Sequence, residues 1–113
     1  MLTTKQTAAA QELADIGFAY SDAISRFEIG LMTAEEYSVH LRSRGDQYRR
    51  AEDLFGTLIH DRLPPGPLGL VIEEVGREIV ERINASDAGR SRSGALVFQA
   101  ATTLSLACGL TEV

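Results

Sequence analysis

Apolar residues recur every three or four positions from Leu13 to Leu63, and this phase constrains the chain more than any other feature. The stripe reads Leu13, Ile16, Tyr20, Ile24, Phe27 and Leu31, then Tyr37, Leu41, Tyr48, Ala51, Phe55, Leu58 and Ile59. Steps of three and four are what one buried face of an α-helix requires, and no comparable alternation of period two competes with them. The fold class is therefore all-α. The periodicity says nothing about chemistry, because residues that build a core face serve any function.

Punctuation divides the stripe into helices. The first is expected from Thr4 to Leu31. Thr33-Ala-Glu-Glu36 has the spacing of a capping box, so a second helix is expected to start at Ala34 and to run to Arg62. Gly45 lies inside it, yet the stripe resumes in phase at Tyr48, which favours one long helix, kinked at most. Pro64-Pro65-Gly66-Pro67 ends it, because proline lacks an amide hydrogen and restricts the residue before it. Pro67 suits the first turn of a third helix, with Leu68, Val71, Ile72, Val75, Ile79 and Ile83 inward and an end near Asn84. Ala85 to Ser93 reads as a loop, and a last helix is expected over 93–109, capped by Ser93 and running through Leu96, Val97, Ala100, Ala101, Leu104 and Cys108 in a broad apolar pattern. Val97, Phe98, Thr102 and Thr103 also suit a strand, which leaves residues 95–108 open between the two. The resulting expectation is one domain over residues 1–113, a small four-helix arrangement of two long antiparallel helices plus two shorter ones. The shorter pair would leave part of the long hairpin uncovered, so a homodimer is expected.

Composition bounds the setting. The 113 residues carry a net charge of −5, which repels a phosphate backbone at long range and disfavours nucleic acid as a partner. One cysteine excludes an internal disulfide and fits a reducing compartment. The first residues lack the pattern of a signal peptide, and no apolar run is long enough to span a bilayer, so a cytoplasmic protein is expected. Ten arginines against one lysine point to a GC-rich bacterial or phage genome.

Several residues invite a functional reading. Phe18 and Ile29 share the face opposite the stripe of the first helix, where they form a partner-binding ridge or lie under the last helix. Arg44 falls within the apolar stripe, where a guanidinium serves as a polar anchor or snorkels to water. Arg42, Arg44, Arg49 and Arg50 form the densest basic cluster, with Tyr48 among them, a combination that nucleic-acid surfaces use. The carboxylates nearby argue instead for surface ion pairs one turn apart: Asp22 with Arg26, Asp46 with Arg50, Glu73 with Arg77 and Glu78 with Arg82. His40 and His60 are isolated, and Cys108 reads as an inert buried thiol.

Ile72-Glu73-Glu74-Val75-Gly76-Arg77-Glu78 resembles the first acidic motif of the all-α nucleotide pyrophosphohydrolases, which hold magnesium with carboxylates from two helices. The spacing departs from that motif by one residue, and Ser93 to Gly109 carries no Asp or Glu to complete a metal site. The resemblance implies, as an alternative, a homodimeric metal-dependent phosphohydrolase with Glu73, Glu74 and Glu78 as ligands. The expectation drawn from the whole chain is different. It is a non-enzymatic helical protein–protein interaction module without cofactor or metal: an adaptor, chaperone-like subunit, immunity or antitoxin component, or inhibitor. Phe18, Ile29 and Arg44 are its expected contact residues.

Overall fold

The N-terminal helix begins at a reciprocal cap. The Thr3 hydroxyl oxygen accepts from the Gln6 amide at 3.0 Å, and Gln6 Oε1 accepts from the Thr3 amide at 2.9 Å. From that cap α1 spans Thr4–Glu28. The computed structural model describes residues 2–84 and 90–110, and among these there are five helices and no strand. After α1 come α2 (Ala34–Arg42), α3 (Arg44–His60), α4 (Pro67–Asn84) and α5 (Arg90–Ala107).

The fifth helix corrects the expected count, and it arises where one long second helix was expected. The expected capping box opens α2: the Thr33 amide donates to Glu36 Oε1 at 3.0 Å, and the Glu36 amide donates to the Thr33 hydroxyl oxygen at 3.1 Å. The break falls at Ser43, two residues before Gly45. The Ser43 hydroxyl donates to the His40 carbonyl at 2.8 Å, and its amide donates to both the His40 and Val39 carbonyls. Such bonds tighten a helical turn toward 3₁₀ geometry and bend its axis. The Ser43 carbonyl then accepts from the amides of Asp46 and Gln47, which starts α3. Only Tyr37 of α2 is buried, so packing does little to hold the two segments in line.

The remaining boundaries follow local chemistry. α1 stops before Leu31 because Gly30 adopts φ +81°, a left-handed conformation that glycine takes without a Cβ penalty. The Gly30 amide bonds to the Phe27 carbonyl and the Leu31 amide to the Arg26 carbonyl, the paired bonds of a Schellman end. Pro67 opens α4 as its position in the sequence predicts. The loop expected from Ala85 falls on residues 85–89, outside the described residues. α5 starts at Arg90 rather than at Ser93, with no proline or β-branched residue in Arg90–Ser93 to oppose it. The stretch left open between helix and strand is helical, since Val97, Ala100, Ala101 and Leu104 bury one face at helical spacing.

α1, α3, α4 and α5 form an up-down-up-down bundle, in which α1 and α4 each lie between α3 and α5. Gln6 faces Leu58 and Glu12 faces Arg50, which sets α1 and α3 antiparallel. Gly17 beside Ala101 and Gly94 beside Ile24 set α1 and α5 antiparallel as well. Leu13, Leu58, Ile72, Ile79, Ile83, Val97 and Leu104 are fully buried along the central axis. Burial of a side chain of this size contributes about 1.5–3 kcal/mol. Gln6 is buried among them, and its Nε2 donates to the carbonyls of Leu58 and Asp61, both at 3.1 Å. It thereby satisfies acceptors at the end of α3 that would otherwise be orphaned.

The overhang inferred from two long helices takes a different form. α3, α4 and α5 are of nearly equal length, at 17, 18 and 18 residues. The far end of α1 is covered by α2, where Tyr37 stacks on Phe27 with ring centroids 4.2 Å apart. Leu31, Ile59 and Leu68 are exposed rather than part of the core stripe. Leu31 lies past the end of α1, while Ile59 and Leu68 flank the proline turn that joins α3 to α4.

Candidate interaction surface

The structure separates the three expected contact residues. Phe18 is half-buried, because Phe98 of α5 meets it edge-on with ring centroids 5.6 Å apart. Ile29 is 70% exposed at the end of α1, where its backbone caps the helix. The two do not form one open ridge, since α5 covers only the Phe18 end of that face. Arg44 is the first residue of α3, half-buried and engaged rather than a free cation.

The charged residues are largely occupied with one another. Asp22–Arg26, Glu73–Arg77 and Glu78–Arg82 pair at 2.8, 2.9 and 2.9 Å, as their spacing predicts. Asp46 differs, because Arg49 takes it at 2.6 Å. Arg50 instead crosses to α1 and grips Glu12 with two bonds, of 2.5 and 2.7 Å. A guanidinium presents a planar fork, and the antiparallel α1–α3 pairing brings a carboxylate squarely into it. That contact holds the Glu12 carboxyl below the usual carboxylate range. The cluster of arginines around Tyr48 is thus partly neutralised, and the Tyr48 hydroxyl donates to Glu52 at 2.9 Å. Glu73 and Glu78 are held by arginines of their own helix, leaving Glu74 exposed beside them. Among the described residues, no group of three His, Cys, Asp or Glu side chains is placed to hold a metal ion.

His40 and Cys108 are shaped by burial. The His40 ring lies 6.0 Å from Tyr37 and 6.3 Å from Tyr20, centroid to centroid, and burial lowers its pKa. Cys108, half-buried past the end of α5, has its thiol pushed up to about 11 by the same cause. A thiol so disfavoured as thiolate is a poor nucleophile.

The open apolar surface lies elsewhere. At the α1–α2 corner Leu31 is 69% and Val39 56% exposed, alongside Ile29. In a Schellman end the residue after the glycine usually packs back on the helix. Here that residue is Leu31 and its counterpart is Arg26, so the leucine finds no apolar partner. A second surface runs along α5, where Phe98 and Leu106 are 53% and 65% exposed. Its signal stands in the sequence: from Ser93 to Leu110 no residue is Asp, Glu, Lys or Arg, in a chain that is 24% charged. Leu31 was hidden within the core stripe, and Val39 follows no stripe at all.

Among the described residues, no helix is long and apolar enough to cross a membrane. No protein family, curated protein or solved structure matches the chain.

Proposed function

We propose that this chain is a helical interaction module that binds a protein partner through the α1–α2 corner. The observation that carries this reading is the set of three large aliphatic side chains, Ile29, Leu31 and Val39, left exposed at that corner. Single apolar residues are ordinary on a protein surface, whereas a set of them at one place is a feature of docking sites. Ile59, Leu68 and Leu70 beside the proline turn form another such set. A partner helix or groove covering them acts by occlusion or bridging, the mode of adaptors, immunity proteins and inhibitors. The ion-paired carboxylates and the depressed reactivity of Cys108 supply no competing chemistry.

The test is a tagged pull-down from the native host, comparing the parent chain with the double substitution Ile29→Asp, Leu31→Asp. A stoichiometric partner should be captured by the parent and lost by the variant, with thermal stability unchanged because neither side chain is buried. Retention of the partner by the variant would remove the corner from consideration.

A further inference from the structure

We propose that two copies of this chain pair through the exposed face of α5, antiparallel about a two-fold axis at Thr102, with Phe98 of each copy against Leu106 of the other. This surface is separate from the α1–α2 corner, so the inference stands or falls independently of the partner reading.

The argument begins with what α5 lacks. Beyond its first turn α5 carries no charge on any side, as an interior helix does, yet one face of that stretch is open. Ala95, Phe98, Gln99 and Leu106 are exposed, with Thr102 half-exposed between them. Phe98 and Leu106 stand eight residues apart, which is about 12 Å along the axis and about 80° around it, so one stripe holds both. Thr102 lies midway by either measure.

That arrangement, large, small, large about a central threonine, is complementary to itself. Rotating a second copy by half a turn about an axis through Thr102 places each phenylalanine opposite a leucine. The smaller threonines meet at the axis, where they allow the helices to approach. An isologous contact needs this self-complementarity. Charge selects the same occupant. The chain carries −5 overall, so two copies repel over most approaches, whereas the α5 face brings no ionised group against its twin. A partner selected by charge would find nothing to read there.

Paired about Thr102, the two helices overlap over residues 97–107, about 15 Å, and so short a face covers far less than the roughly 800 Å² per partner of a standard interface. The dimer is therefore weak and concentration-dependent. It strengthens with added salt, because screening reduces the repulsion between two acidic bodies while the contact itself has no ion pairs to lose.

Sedimentation equilibrium of the full chain, from low micromolar to several hundred micromolar, tests the pairing. The average mass should rise from 12.3 kDa toward twice that value, and further at high salt. Leu106→Glu should weaken association about tenfold or more without lowering the melting temperature, since a tenfold loss needs only about 1.4 kcal/mol. Thr102→Cys in a Cys108→Ser background should form a disulfide-linked dimer under mild oxidation, as the axis brings position 102 to its own copy. Ala95→Cys in the same background should not, because positions 95 of the two copies stand about 21 Å apart along the axis. A monomer at every concentration overturns the proposal. So does a dimer that is indifferent to Leu106→Glu, or one that crosslinks at 95 and not at 102.

Discussion

The imidazole of His40 is half-buried against the rings of Tyr20 and Tyr37, and its Nε2 meets no hydrogen-bond partner among the described residues. Burial is the cause of its lowered pKa, since the charged ring would lose water and gain no acceptor. The unfolded chain then takes up a proton at higher pH than the folded one. Stability is full above the ordinary value of 6.5, declines as pH falls from there through the folded pKa, and is flat below it. Urea midpoints measured in steps between neutral and mildly acidic pH should show this decline, and His40→Phe should flatten it while keeping an aromatic ring in place. A slope unchanged in the variant would assign the effect elsewhere. Glu12 and Glu36 act in a lower window. Arg50 lowers the first, and the Thr33 amide and hydroxyl the second, so their contributions are present above 4.5 and lost as pH falls below it.

At the scale of elements, α2 depends on one residue. Tyr37 is buried and stacks on Phe27 with the ring planes only 8° apart, while every other side chain of α2 is at least partly exposed. Tyr37→Ala should therefore release α2 without dissolving the bundle. Hydrogen exchange should show protection lost over residues 34–42 and retained in α3, α4 and α5. Loss of protection throughout would mean that α2 is integral to the core. The separate identity of α2 was not legible in the sequence. Leu41 and Tyr48 keep helical phase across the break because α2 and α3 both turn their inner faces to α1, and a single tightened turn leaves that phase intact. The signal lay in Ser43, whose hydroxyl competes for the carbonyl of His40, and Gly45 pointed only near it. The proline and capping-box boundaries were legible because each rests on chemistry within four residues.

The whole molecule was legible as a helical body but not as a surface. Periodicity tells that Phe18 lies opposite the main stripe of α1. It does not tell that α5 arrives there with Phe98, because that contact depends on how two helices 80 residues apart in sequence are arranged in space. The same arrangement sets the role of Gly17. A Cβ added there would sit 3.1 Å from Ala101 Cβ, 3.4 Å from Val97 and 3.5 Å from Ile79, where α1, α4 and α5 converge. Gly56 gives the contrast, as it lies within α3 with nothing inside 4 Å of the same atom. Glycine in a helix is about 0.8–1.0 kcal/mol less favourable than alanine, so Gly56→Ala should raise stability by up to that amount. Gly17→Ala receives the same conformational gain but must press α5 outward through a short side chain that cannot rotate away. Gly17→Val adds two methyl groups to that crowding and should cost about 1–3 kcal/mol, as overpacked cores do. Denaturant unfolding of the three variants should rank Gly56→Ala above the parent and Gly17→Val below it. If Gly17→Val were as stable as the parent, α1 and α5 would not approach as closely as the bundle places them, and the open face of α5 would be displaced with them.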